Sequence, residues 1–436
     1  MANKKHLAIR TLAALYLTML VTAAGFMFEW MFKLPTIKYH DYAKYYTMAK
    51  IVASDESHKF YDGEHQLNEW RKLSNEGASE RPVCMEISPV WPAILYPFGK
   101  VSLQTAYLLW QGIWMSAGAI GLFSVLRSIH SSTSLGRTIF RTFILCTAIM
   151  ASLPEARGMV LGQPSWLILG LLSGFCAAFL AKQDVVAGIL LAISTIKFQY
   201  SPFFGVAALA AGRWKIIAVA AAGFFALLGA AAVIVGPDTV LQYPSILLKW
   251  ETMKEYEIDI NPQSMVNFRG VLSILMPSEI AMKFSFPIMI AGLLLTLKVW
   301  FDALKIGAKA VPWALSFSVI AVLLFSAHVH MYECIVLAIC AALTFPSFDP
   351  VQLLSVNTWR MRLWIWLLAI YPFLLWVIFL LDAKLFHIQI GGMTFSVVTV
   401  FTFNAINIVL AVLAAINLYK SREAEKVVVN NEPDVA

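Results

Sequence analysis

Long apolar stretches follow one another along the whole chain and are separated by shorter polar segments. The clearest cover residues 103–126, 214–235, 363–381 and 395–418. Each is about as long as the ~20 residues with which an α-helix crosses a ~30 Å hydrocarbon core. Because a helix in lipid satisfies its backbone hydrogen bonds internally, the pattern predicts an all-α polytopic membrane protein.

The apolar stretches predict about 12 spanning helices. Residues 184–199 and 201–212 form a short pair that could instead be a broken hairpin. The stretch 87–98 contains three prolines, which disfavour a full helix and predict a re-entrant or interfacial element. The predicted spanning segments lie near 7–30, 103–126, 138–153, 164–181, 184–199, 201–212, 214–235, 284–304, 312–327, 331–346, 363–382 and 394–418.

The first apolar stretch follows Lys4 and Lys5, as the core of a signal peptide would. It is longer than the roughly 7–15 apolar residues of such a core, so we interpret it as a retained helix. Residues 1–420 are then predicted to form one membrane domain with a long first loop at 33–86. Residues 421–436 are polar and are predicted to form a disordered tail.

Composition and charge agree with a membrane protein and give its orientation. Hydrophobic residues make up 59% of the chain and charged residues 14%, whereas a soluble domain has about 25% charged residues. The net charge of +7 does not indicate nucleic acid, because Lys and Arg commonly anchor a membrane protein on its cytoplasmic side. With both termini in the cytoplasm, 17 Lys and Arg residues face inwards and 8 face outwards, excluding the first loop. This bias predicts cytoplasmic termini and an outward-facing first loop.

The candidate metal ligands are sparse. The five cysteines include no CxxC pair, and four of them lie in apolar stretches, so neither a disulfide framework nor a zinc site is expected. His328 and His330 could begin a metal site, but no third ligand lies at a fixed spacing from them. We therefore expect no cofactor, with a divalent metal as the alternative.

The first loop carries a distinctive polar motif, His40-Asp41-Tyr42. The tyrosines that follow, Tyr42, Tyr45 and Tyr46, recur at helical spacing and predict an amphipathic helix on the membrane surface. At the start of this helix, Asp41 can be a simple N-cap. A carboxylate in this place can also act as a general base, so the residue pattern leaves both interpretations open.

Short motifs occur in a fixed order from the first loop onwards. They are Asp41-Tyr42 with Tyr45-Tyr46, Phe60-Tyr61-Asp62, Ser88-Pro89-Val90-Trp91-Pro92-Ala93, Tyr96-Pro97-Phe98, Gly162-Gln163-Pro164-Ser165, Ala187-Gly188 through Lys197 to Pro202, Asn261-Pro262-Gln263-Ser264, and Ser326-Ala327-His328 through Glu333. In this order, over residues 37–335, they resemble glycosyltransferase family 87. That family comprises mannosyltransferase-like membrane enzymes of the GT-C class that use polyprenyl-phosphate sugars.

The chain departs from the family pattern at three places. Ala327 stands where the family usually has Pro, and Glu333 stands where it usually has Asp. Gln199 and Tyr200 interrupt the spacing between Lys197 and the following proline, which could displace Lys197. These departures affect the expected donor specificity more than the expected reaction.

The resemblance implies a GT-C-like bundle with Asp41 as the general base. A sugar on a polyprenyl phosphate already has a good leaving group, so catalysis mainly has to deprotonate the acceptor and stabilise the departing phosphate. A snorkelling side chain is the simpler interpretation of Lys197. The candidates for binding the donor phosphate are Lys197, Arg157, Arg269, His328 and His330, and those for a supporting role are Glu333, Gln163, Tyr45 and Glu86.

The expected function is therefore transfer of mannose or another hexose or pentose from a polyprenyl-phosphate donor to a glycan or glycolipid acceptor. The expected location is the outer face of a bacterial plasma membrane, with the bilayer as a partner and no nucleic acid. A secondary transporter is the first alternative, although the paired broken helices of related halves are not evident. A flippase for lipid-linked glycans is the second.

Overall fold

The computed structural model describes residues 2–33, 41–74, 87–249, 265–345, 349–354, 356, 358–385 and 397–429. Within these ranges the regular elements are helices, accompanied by an isolated β-bridge between Met265 and His330. The α-helices of the first half are α1 (Ala2–Lys33), α2 (Asp41–Val52), α3 (Gly63–Ser74), α4 (Trp91–Leu95), α5 (Leu103–Ile129), α6 (Leu135–Met150), α7 (Leu153–Leu161), α8 (Ser165–Leu180), α9 (Asp184–Ile193) and α10 (Ser201–Ala210). Those of the second half are α11 (Trp214–Val235), α12 (Pro237–Lys249), α13 (Phe268–Leu275), α14 (Ser278–Ile306), α15 (Val311–Phe325), α16 (Leu337–Thr344), α17 (Pro350–Leu354), α18 (Trp359–Leu385) and α19 (Val397–Val429).

Several helices are suited to cross a membrane. In the described part of the chain, six are long and apolar enough, and α6 and α7 together would make a seventh span bent by 71°. Shorter apolar helices cover Ser165–Leu180, Ser201–Ala210 and Met331–Thr344. The chain is thus an all-helical, multi-pass membrane protein, while the count of about 12 spans stays a prediction. The six candidate spans are His6–Phe32, Leu103–Ile129, Trp214–Val235, Glu279–Ile306, Ala308–Phe325 and Val398–Ser421.

Two proline-containing regions interrupt the helices as their sequences indicate. Between residues 87 and 100, the helical segments are limited to Trp91–Leu95 and a 3-10 turn at Phe98–Lys100. The predicted pair at 184–212 consists of α9 and α10, each of 10 residues, joined through a 3-10 turn at Ser194–Lys197. These breaks leave backbone turns and polar side chains between apolar helices.

The first-loop helix lies deeper than its pattern predicts. It begins at Asp41, as expected, but nine of its 12 residues are buried. The helix packs against α3, α4 and α5, so it is covered by protein on several sides. Tyr42, Tyr45, Tyr46 and Ala49 lie on one side of the helix, and residues on its other sides, such as Ala43 and Met48, are buried as well. The surface position predicted for this amphipathic helix is therefore wrong.

Helices α5 and α8 form the closest pair in the centre of the bundle. A Cβ atom on Gly121 would lie 2.6 Å from the carbonyl oxygen of Gly170, so glycine at both positions permits the contact. Small residues at helix contacts are a common way for membrane helices to pack closely. The pairing fixes the position of α8 relative to α5. It thereby also positions the turn at Gly162 and Gln163, which precedes α8.

Two shorter segments differ from expectation. Glu155, which lies between the predicted spans at 138–153 and 164–181, belongs to α7 and so is helical. Helix α19 continues to Val429, so residues 421–429 are helical where the sequence predicted a disordered tail. The Glu, Ala, Lys and Arg residues of this segment are all good helix formers, which accounts for the continuation.

Candidate functional site

Asp41 lies at the start of α2 with both carboxylate oxygens engaged. Lys44 Nζ lies 3.0 Å from Oδ1, and Gln163 Nε2 donates to Oδ2 at 2.8 Å. The carboxylate side chain is 25% exposed, so it can be reached from outside. Burial raises its pKa, but the charge and hydrogen bond of Lys44, the hydrogen bond of Gln163 and the charge of His330 outweigh burial and lower the pKa below its ordinary value. Asp41 is therefore a carboxylate at neutral pH.

The turn between α7 and α8 places Gln163 in contact with Asp41. Helix α7 ends at Gly162, whose φ of 66° lies in the left-handed region. The backbone N–H of Gln163 donates to the Gly158 carbonyl at 2.9 Å, and Trp110 Nε1 donates to the Gly162 carbonyl at 3.0 Å. The side chain of Tyr42 packs so closely on Gly162 that a Cβ atom there would lie 2.4 Å from the tyrosine Cβ. Glycine is required here both for the backbone and for the space.

Lys197 forms the second charged pair of the site. Its Nζ lies 2.8 Å from Glu333 Oε1 and 3.5 Å from Gln163 Oε1, and 5.1 Å from the centre of the Tyr332 ring. Glu333 is 1% exposed and Lys197 12%, so the pair is shielded from water. Trp91 Nε1 donates to the Ile196 carbonyl at 3.1 Å and fixes the 3-10 turn that carries the lysine. Lys197 thus remains in the site despite the altered spacing to the next proline.

Glu333 also organises the segment that carries the two histidines. Its Oε2 accepts from the backbone N–H of His330 at 2.9 Å. Gln199 Nε2 donates to Glu333 Oε1 at 3.3 Å and to the His328 carbonyl at 3.1 Å. The extra residues after Lys197 therefore contribute a hydrogen-bond donor to the site. Glu333 therefore contacts both Lys197 and the His330 backbone.

The histidines lie on extended backbone, and their rings meet. Val266 N donates to the Val329 carbonyl at 2.9 Å, and the ring centres of His328 and His330 are 4.6 Å apart. The His330 ring also stacks on Tyr332, with centres 5.5 Å apart. Burial, followed by the charges of His330, Lys197 and Arg269, lowers the pKa of His328 well below its ordinary value. His328 is therefore an uncharged imidazole at neutral pH.

Two arginines extend the positive side of the site. Arg269 lies in the first turn of α13, which Asn267 caps, and its Nη1 donates to the Ala327 carbonyl at 3.2 Å. Arg157 lies on α7, and its charge acts on both Asp41 and Tyr332. The named charged side chains of the cluster hold two more positive charges than negative ones, which suits an anionic ligand. They are Lys44, Arg157, Lys197 and Arg269 against Asp41 and Glu333.

Aromatic side chains form one wall of the cluster. Tyr45 places its hydroxyl 3.5 Å from Gln163 Oε1. Its ring centre lies 5.4 Å from that of Trp91 and 5.3 Å from that of Trp110. Trp91 and Trp110 are both 1% exposed, so they support Tyr45 and the neighbouring turns rather than presenting free ring faces.

The structure thus brings most of the predicted site residues into one cluster, namely Asp41, Tyr45, Arg157, Gln163, Lys197, Arg269, His328, His330 and Glu333. Glu86, His40 and residues 261–264 lie outside the described residues. Lys44, Gln199 and Tyr332 join the cluster although the sequence did not predict them as site residues. Of these three, only Lys44 could have been inferred from the sequence. It lies three residues after Asp41, and residues three apart on a helix share a face.

Potential metal ligands stay apart from one another in the described part of the chain. Within those ranges, no three His, Cys, Asp or Glu side chains converge in a way that could hold a metal ion. Cys146, Cys176, Cys334 and Cys340 are free thiols.

Comparison with known proteins places this cluster in context. The model of glycosyltransferase family 87 matches residues 88–330, which is more than half of the 436 residues. The matched segment contains Gln163, Lys197 and both histidines, whereas Asp41 and Glu333 lie outside it. No curated protein matches the chain significantly.

Proposed function

Because the chain belongs to glycosyltransferase family 87, we propose that it transfers a sugar from a polyprenyl-phosphate donor to an acceptor hydroxyl, with Asp41 as the general base. The family makes the chain a membrane glycosyltransferase. The contact that carries the finer proposal is the path from Asp41 through Gln163 to Lys197, which links a carboxylate to a cation within one cluster.

Asp41 and Lys197 have different roles in the reaction. The acceptor oxygen attacks the anomeric carbon of the donor while its proton passes to the Asp41 carboxylate. The new carbon–oxygen bond forms as the bond between the anomeric carbon and the phosphate oxygen breaks. The electron pair of that bond leaves on the polyprenyl phosphate. Attack opposite the leaving group inverts the configuration of the sugar.

The departing phosphate is assigned to the positive side of the cluster. Lys197, Arg157 and Arg269 supply fixed charge that stabilises the negative charge developing on the phosphate. His328 and His330 donate hydrogen bonds, with His328 acting as a neutral donor. Glu333 holds Lys197 in place, and Gln163 and Tyr45 support Asp41. No metal ion or other cofactor is needed in this scheme.

A lipid-linked donor fits the location of the cluster in the chain. His328 and His330 directly follow the candidate span that ends at Phe325, and Asp41 follows α1 after a short connection. A donor with its phosphate at this level can keep its polyprenyl chain among the apolar helices. We assign the site to the outer face of a bacterial plasma membrane with both termini in the cytoplasm, mannose or another hexose or pentose as the sugar, and a glycan or glycolipid as acceptor.

A transporter or a flippase for lipid-linked glycans is the competing proposal. The 71° bend between α6 and α7 and the break between α9 and α10 are features that transporters also use around their binding sites. Both alternatives predict translocation of a ligand without cleavage of the bond between sugar and phosphate.

The test is a transfer assay with purified protein in lipid nanodiscs and a panel of polyprenyl-phosphate sugars. We expect release of polyprenyl phosphate with one donor, and Asp41→Asn should lower the rate by about 100- to 10,000-fold while donor binding persists. Asp55→Asn is the matched control, because Asp55 is an exposed carboxylate of the same loop. Full transfer by Asp41→Asn would exclude Asp41 as the base. Translocation without release from any donor would favour the competing proposal.

A further inference from the structure

Lys44 is a mostly buried lysine in direct contact with the proposed base. Its ammonium lies 3.0 Å from Asp41 Oδ1, one turn along α2, and its side chain is 13% exposed. Lys50, near the end of the same helix, is exposed to solvent. Since removing a lysine from water is costly unless its charge is paired, the buried position of Lys44 indicates that the ion pair has a purpose beyond solubility.

Other groups act on Asp41 from neighbouring elements, but in different ways. Arg157 on α7 and His330, which precedes a 3-10 turn at Met331–Val336, act through their charges, and Tyr332 also lies near the carboxylate. Gln163 contacts Oδ2 as a neutral amide donor. Lys44 brings a full positive charge into a salt bridge with Oδ1.

This contact has opposite consequences for two steps of the reaction. Before substrate binds, an ammonium at Oδ1 keeps the carboxylate ionised and oriented. During transfer, the same ammonium disfavours protonation of the carboxylate and so weakens it as a base. A base that is held ionised at rest therefore has to lose part of this stabilisation before it can accept the acceptor proton.

We propose that Lys44 is a positioning residue that holds Asp41 ionised in the resting enzyme and moves towards the donor phosphate when the donor binds, which leaves Oδ1 to receive the acceptor proton. The inference rests on the proposed function. A lysine suits this role because its ammonium is a point charge on a flexible four-carbon chain, so it can exchange one anionic partner for another.

The pH dependence of transfer tests the proposal, because kcat/KM reports ionisations of the free enzyme and kcat those of the substrate-bound enzyme. In the wild type, we expect the acid limb of kcat to lie at higher pH than the acid limb of kcat/KM for the donor. In Lys44→Met, the acid limb of kcat/KM should shift to higher pH until it coincides with that of kcat. The KM for the donor should also rise. Lys44→Arg should keep the two limbs apart, and Lys50→Met should reproduce the wild-type profile.

Coincident limbs in the wild type would overturn the proposal, and this measurement requires no variant to fold. If Lys44→Met lowers thermal stability but leaves the acid limbs of kcat and kcat/KM at their wild-type pH, Lys44 has a purely structural role. This result would also overturn the proposal. The two proposals fail separately. Transfer by Asp41→Asn contradicts the assigned base, whereas inactivity of Asp41→Asn combined with unmoved limbs in Lys44→Met contradicts only the role of Lys44.

Discussion

Gln163 donates from Nε2 to Asp41 Oδ2 at 2.8 Å across a separation of 122 residues. The orientation of the amide follows from its neighbours, because the other end, Oε1, faces the ammonium of Lys197 at 3.5 Å. A neutral side chain therefore stands between the proposed base and a cation proposed to bind phosphate. It contacts both and keeps them from forming a direct ion pair.

Replacing this amide with a carboxylate should disrupt both contacts. In Gln163→Glu, the new charge repels Asp41 and competes with Glu333 for Lys197. We expect transfer to fall by about 100-fold, because small displacements of reacting groups cost this much. The acid limb of kcat/KM should also move to higher pH, since a neighbouring negative charge raises the pKa of Asp41.

The measurement is the pH profile of transfer for Gln163→Glu beside a matched variant. Gln183→Glu makes the same change at an exposed glutamine before α9, whose side chain caps no backbone group. It should leave the profile unchanged. A Gln163→Glu enzyme with the wild-type rate and profile would show that the amide does not connect the two sides of the site.

The left-handed glycine that precedes Gln163 provides a test of stability and activity together. Gly162 and Gly212 have φ of 66° and 67°, but of the two only Gly162 has a neighbour, Tyr42, within 4 Å of the place that a Cβ atom would occupy. Alanine at either position should cost about 1–2 kcal/mol of backbone strain. Gly162→Ala should cost about 1–3 kcal/mol more because of overpacking against Tyr42.

Thermal unfolding in detergent, measured beside the transfer rate, separates these two contributions. We expect Gly212→Ala to lower Tm slightly with normal transfer, and Gly162→Ala to lower Tm further and to lose transfer because Gln163 is displaced. Equal losses of stability in the two variants would argue against the close contact between α2 and the turn.

The half-buried His328 predicts how the stability of the protein changes with pH. The pKa of His328 is lower in the folded protein than in the unfolded chain, so the unfolded chain binds more protons in the interval between the two values. Stability therefore rises with pH through that interval, and it falls as the pH drops below the ordinary histidine pKa of about 6.5. His328→Asn should reduce this loss.

Unfolding transitions recorded between about pH 5 and pH 8 test this expectation. The comparison is between the wild type, His328→Asn and His58→Asn, in which an exposed first-loop histidine is replaced. His58→Asn should follow the wild type. If the wild type and His328→Asn lose stability equally on acidification, then His328 does not account for the loss.

The sequence predicted the helical class and the breaks in the helices, because these depend on composition and on short motifs. The resemblance in those motifs also pointed to nine of the residues that lie in the cluster. The sequence did not predict that α2 is buried. Tyrosines that recur at helical spacing have the pattern of a surface helix, and only the neighbours α3, α4 and α5 reveal that α2 is covered on several sides.

The contacts between the site residues could not be predicted from the sequence either. The pairing of Lys197 with Glu333 joins residues 136 positions apart, and no local pattern specifies such a partner. The insertion of Gln199 looked like a displacement of Lys197, but the 3-10 turn absorbs the added length and the glutamine side chain binds Glu333. The spacing of three residues could place Lys44 beside Asp41, but it could not distinguish a site residue from an ordinary surface pair.

The members of the cluster come from distant parts of the chain, with Asp41 near its beginning and Glu333 beyond the segment that the family model matches. This arrangement has a consequence for biosynthesis. A nascent chain that has inserted its first helices already carries Asp41 and Lys44, but it lacks Lys197, Arg269 and the segment around Glu333 that contacts Lys197. Sugar transfer therefore begins only when the ribosome has completed most of the polypeptide, and partially made chains cannot carry it out.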